Sequence, residues 1–108
     1  MLIQTKTIGV INDQFIESIY ESSNILMSTY FPKTNKLFIH FNRGGTYSYT
    51  NIDEGLYKDF ENADSQGKFF LANIKKNPNK YPYAKEYKLT ESEIKNAKSV
   101  IKEHHERS

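Results

Sequence analysis

An α+β fold is predicted: a small antiparallel β-meander of three to five strands, packed with two short helices and followed by a C-terminal helix. Three observations predict it. Alternating apolar and β-branched segments, divided by turn residues, fill the first half of the chain. Apolar residues at helical spacing take over from Leu56. A Thr90–Glu93 capping box opens the last segment. The 108 residues fit one small domain. Its core is thin and must lean on seven Phe and eight Tyr, since there is no Trp.

The elements follow in order. "LIQTKTIGVI" reads as a strand, and Asn12 to Gln14 as a turn. "FIESIYES" puts Phe15, Glu17, Ile19 and Glu21 on one face and Ile16, Ser18 and Tyr20 on the other. "NILMSTYF" is closed by Pro32, and "PKTNK" turns the chain. "LFIHF" sets Leu37, Ile39 and Phe41 on one face and Phe38 and His40 on the other. Asn42 to Gly45 is a hairpin turn, where glycine supplies positive φ, and "TYSYT" returns. A helix starts around Asn51 to Asp53, with Leu56, Tyr57 and Phe60 on its apolar side. Ser65 caps a second helix through "QGKFFLANIKKN". Pro78 and Pro82 break regular structure in "NPNKYPY". The last helix carries a narrow stripe of Ile94, Ala97 and Ile101.

Composition excludes several function classes. No cysteine is present, which rules out disulfides and thiolate zinc sites and fits a reducing, cytoplasmic setting. No stretch approaches the ~20 apolar residues that span a bilayer, and "MLIQTKTIGV" does not read as a signal peptide. A net charge of +2 argues against a polyanion coat. Charge is nonetheless segregated. Residues 53–64 carry Asp53, Glu54, Asp59, Glu61 and Asp64 against Lys58, whereas residues 65–80 carry Lys68, Lys75, Lys76 and Lys80 with no acid. The two runs are either solvated helix faces or, for the second, an anion-attracting patch.

A family resemblance rests on several of these pieces together. They are Ser22-Ser23-Asn24-Ile25, Tyr30, Leu37-x-Ile39-x-Phe41, Gly44/Gly45, Tyr47-Ser48-Tyr49 and Ile52. Ala63-x-Ser65-x-Gly67-x-Phe69-Phe70, followed by Ile74-Lys75, completes the set. This pattern resembles the KTSC domain over roughly residues 22–83. That family occurs at the C-terminus of some lysyl-tRNA synthetases and as free-standing bacterial and phage proteins. Asp53 stands where the family often has proline, and Asp opens a helix equally well. The resemblance implies no established activity, with RNA binding as a suggested role. It leaves residues 1–21 as an N-terminal strand extension and residues 84–108 as a C-terminal helical extension suited to oligomerisation.

The residues point to binding rather than to catalysis. His104 and His105 are adjacent and diverge by about 100° on a helix, so they do not clamp one metal. His40 is either a surface polar residue or a ligand contact, and the carboxylates read as charge patterning. No nucleophile–base–orienter set and no cofactor motif stands out, so no enzyme, metal or cofactor is expected. Ser65, Gly67 and Lys68 open a helix, where free N–H groups and the macrodipole favour a phosphate; the plainer reading is a capped helix. Tyr47 and Tyr49 share a strand face and either pack in the core or stack on a base. Arg43 at the hairpin tip is either a phosphate contact or a solvated turn residue. Tyr81 and Tyr83 form a second aromatic pair that seals a helix end, lines a pocket or meets a subunit.

The expected function is non-catalytic binding of a small nucleotide, cyclic forms included. Arg43, Ser65, Gly67, Lys68, Lys75 and Lys76 would hold the phosphate, and Tyr47 or Tyr49 would stack on the base. The Lys, Asn, Ile and Tyr-rich composition matches an AT-rich genome, and a short free-standing chain suits a phage protein that sequesters a host signalling nucleotide in the host cytoplasm. The alternatives are RNA binding and a protein-interaction module. A homo-oligomer is expected, because the stripe Ile94, Ala97, Ile101 offers a subunit contact.

Overall fold

The alternating first half folds as predicted into consecutive antiparallel strands: β1 (Leu2–Ile8), β2 (Phe15–Tyr20), β3 (Ile25–Phe31), β4 (Lys36–Phe41) and β5 (Thr46–Tyr49). The computed structural model describes residues 1–43 and 45–107, so Gly44 of the expected hairpin turn lies outside the described residues. β1 stops at Ile8 rather than at Ile11, because Gly9 turns the chain at φ +103°. A Cβ at Gly9 would lie 2.5 Å from the Asp13 carbonyl oxygen, so the turn needs glycine. Asn12 (φ 81°) and Asn35 (φ 55°) take the same left-handed region in the next turns.

The sheet has a sixth strand, β6 (Tyr83–Glu86), which pairs antiparallel with β5 and gives the order β1-β2-β3-β4-β5-β6. Residues 84–86 therefore belong to the sheet and not to a helical extension. Ser48 ties this edge in, donating to Glu86 Oε2 at 2.6 Å.

Both short helices lie on one face of the sheet. α1 (Glu54–Glu61) starts at Asp53, whose Oδ1 accepts from the Leu56 amide at 2.8 Å. α2 (Gln66–Phe70) starts at Ser65, whose Oγ accepts from the Lys68 amide at 3.3 Å. It runs on into a π-helical turn, Leu71–Lys75. Beneath them Tyr30 and Tyr57 stack with centroids 4.3 Å apart, and Phe60 meets Tyr20 edge-on at 5.5 Å. Leu37, Ile39, Tyr49, Ile52, Phe70, Ile74 and Tyr81 complete this core.

Glu61 departs from the reading of its helix as surface charge patterning. Position 61 is one turn beyond Tyr57, so its side chain points inward and is only 5% exposed. The Tyr57 hydroxyl donates to Glu61 Oε2, and Ser18 Oγ lies 3.0 Å from both groups. Burial pushes the Tyr57 and Tyr20 phenols above their ordinary range, and Tyr30 to about 12.

The opposite face carries α3 (Glu91–Arg107). Its capping box forms: the Thr90 amide donates to Glu93 Oε1 at 3.0 Å, and the Glu93 amide to Thr90 Oγ1 at 3.2 Å. Ala97 is buried against Ile19, Leu26 and Met27, flanked by Ile94 and Ile101. The apolar stripe proposed for a subunit contact is thus used within the chain. His105 pairs with Glu21 near the far end of this helix.

His40 is not a surface residue. It is 7% exposed, with Nδ1 2.9 Å from Thr46 Oγ1 and Nε2 3.0 Å from Thr29 Oγ1. Burial lowers its pKa from 6.5 to about 4, against a weaker pull upward from Glu93. The unfolded chain therefore takes up the proton first as pH falls. Stability is fully present above about 6.5, declines with acidification and levels off below about 4, for a loss of up to about 3 kcal/mol. Urea unfolding at pH 7, 5.5 and 4 should show this loss in the wild type and a shallower one in His40→Gln. Equal slopes would remove His40 as the cause.

Candidate functional site

Period-2 alternation puts Ile39 opposite Tyr47 and Leu37 opposite Tyr49 on the helix-covered face. Their environments differ. Tyr49 is 6% exposed and meets Phe70 edge-on at 5.1 Å. Burial, with Tyr47 and Tyr83 beside it, pushes its phenol to about 12. Tyr47 is half-buried, between Phe41 and Tyr83 at 6.1 Å each. Tyr49 is thus core and floor, while Tyr47 is a wall.

These rings line an open groove of about 640 Å³ with Phe41, Phe70, Pro78, Tyr81 and Tyr83, and with Arg43 and Lys75 as its charged groups. Its far side is a loop docked on β5: the Thr50 amide donates to the Pro82 carbonyl at 3.0 Å, and Asn51 Nδ2 to the Lys80 carbonyl at 3.2 Å. A second groove of about 370 Å³ adjoins it. Its lining repeats Phe41, Arg43, Phe70 and Lys75 and adds Ser23, Asn24, Ile25, Asn42, Gly67 and Leu71. Among the described residues, no carboxylate lines either groove.

Local hydrogen bonds hold the second groove open. Ser22 Oγ accepts from the Asn24 and Ile25 amides at 3.3 Å, which turns the chain into β3. Asn42 donates from Nδ2 to the Ser22 carbonyl and from its amide to the Asn24 carbonyl, both at 2.8 Å, and so rivets this turn to the base of Arg43. A Cβ at Gly67 would lie 3.2 Å from Asn24 Nδ2, so glycine keeps the helix start close to the Asn24 amide. The π-helical turn has Leu71 and Lys75 at its two ends, and both line this groove. Single π-turns recur at functional sites.

The structure brings together Arg43, Tyr47, Tyr49, Gly67 and Lys75 of the expected site. Ser65, Lys68 and Lys76 line neither groove. The Ser65 hydroxyl is engaged as a helix cap, and Lys68 and Lys76 point to solvent. Sequence reasoning passed over Asn24, Asn42, Phe70, Leu71 and Pro78. Asn24 and Phe70 lie inside the quoted motifs, but nothing in their spacing shows that they border a cavity. Among the described residues no cluster of three His, Asp or Glu is disposed to hold a metal, and no helix is long and apolar enough to cross a membrane.

A family model described as the KTSC domain matches residues 21–81. The chain belongs to the KTSC domain family. A crystal structure of a KTSC domain protein from Yersinia pestis is similar, with 29% identity and a TM-score of 0.59, covering 77% of this chain and 99% of that one. No curated protein matches the chain. The matched KTSC segment supplies every lining residue of both grooves except Tyr83, which β6 adds from just beyond it. β1, β2 and α3 lie outside the segment.

Proposed function

We propose that this KTSC protein binds a small phosphorylated nucleotide and holds it without transforming it. One observation carries the reading: an aromatic groove whose charged groups are two cations, Arg43 and Lys75, with no carboxylate among its lining residues. Stacking of a base on such rings contributes about 1–3 kcal/mol. A guanidinium grips phosphate in two parallel hydrogen bonds, and an ammonium adds a point charge. A lining free of acids spares the ligand a repulsive contact. The groove offers stacking faces and two cations, with no nucleophile set beside a base, so retention is its natural chemistry. The role that fits is sequestration of a signalling nucleotide, as by a phage protein in its host.

Thermal unfolding with a panel of mono-, di- and cyclic nucleotides tests the reading. The melting temperature should rise with concentration of the matching nucleotide, and the nucleoside without phosphate should have little effect. No shift across the panel would overturn the proposal. Binding only to long RNA, with a salt slope of several phosphates, would replace it.

A further inference from the structure

The two grooves adjoin across four shared lining residues, Phe41, Arg43, Phe70 and Lys75, which put two cations at the waist of the combined depression. A mononucleotide with its base on the tyrosines and its phosphate at the waist fills one side. The other side, about 370 Å³, is left over. That side is suited to a second base. Leu71, 47% exposed, offers apolar contact. Asn24 places an amide at its edge beside Gly67, and an amide carries both donors and acceptors for the edge of a base.

Resting on the nucleotide reading, we infer that the ligand is a dinucleotide: two nucleosides joined through phosphate, one base in the tyrosine groove, the other between Asn24 and Leu71, and the linking phosphate at Arg43 and Lys75. A polymer is not needed to fill this depression. Joining the units makes the second contact intramolecular, which raises affinity without any new protein group.

Isothermal titration of the full chain with four probe sets tests this: the four 5′-mononucleotides, their 5′-phosphorylated homodinucleotides, the cyclic forms of those dinucleotides, and ten-residue oligoribonucleotides. A linear or cyclic dinucleotide should bind at least about tenfold tighter than its mononucleotide. In Leu71→Glu, which sets a carboxylate in the second groove, that ratio should fall to about one. Equal affinity of mononucleotide and dinucleotide in the wild type would overturn the inference and leave the mononucleotide reading standing. No binding of any probe would overturn both. Much tighter, steeply salt-dependent binding of the ten-residue chains would overturn the two-unit ligand.

Discussion

Phe60→Ala should lower the folding free energy by about 3–5 kcal/mol. Phe60 is fully buried in the seam between the sheet and both short helices. Its ring meets Tyr20 at 5.5 Å and Phe69 at 6.3 Å. Its carbonyl accepts from the Ala63 amide at 3.3 Å, at the corner where α1 hands over to α2. Truncation leaves a cavity that the surrounding side chains fill only in part. A domain of this size has a total stability of only about 5–15 kcal/mol. Phe60→Leu keeps most of the buried volume and should lose markedly less. Urea unfolding of both variants provides the check. A loss below about 1 kcal/mol for Phe60→Ala would mean that this seam does not hold the fold.

The second large effect is on binding. Arg43→Glu with Lys75→Glu should weaken the nucleotide by more than about a hundredfold, since each charged hydrogen bond contributes about 1.5–3 kcal/mol. Each single reversal should cost about tenfold or more. Both side chains are exposed, so the unliganded melting temperature should barely move. Lys76→Glu is the matched control: it is the next residue, is also exposed, and lines neither groove. Comparable losses from Lys75→Glu and Lys76→Glu would mean that net charge alone attracts the ligand and that the groove does not select it. Titration at two salt concentrations separates these cases.

What the sequence reveals here is mostly local. Strand alternation places Tyr47 and Tyr49 on one face, and Asp53, Ser65 and Thr90 are recognisable as caps because each acts within three residues of itself. The less legible features depend on distant partners. β6 is mostly exposed, so "YAKE" lacks the alternation that marks a half-buried strand, and only β5 defines it. Glu61 sits in an acidic run, and its burial depends on Ser18, 43 residues away. The stripe on α3 is visible, but whether it meets this sheet or another chain is a tertiary fact. The choice among lysines is subtler. Past Phe70 the helix widens into a π-turn, so regular 3.6-residue spacing no longer gives the direction of a side chain. Lys75 faces the grooves as a result of the fold around it, while Lys68, in the short motif that most resembles a phosphate seat, does not line them.

The most direct measurement is of what the protein carries. The wild type and the Arg43→Glu, Lys75→Glu double variant would be purified from the same cells, heat-denatured, and their supernatants examined by mass spectrometry. The wild type should release an intact phosphorylated nucleotide near one per binding site, and the folded double variant should release almost none. A wild-type supernatant free of nucleotide, together with no binding of added nucleotides, would contradict nucleotide binding by these grooves. So would equal release from the two proteins.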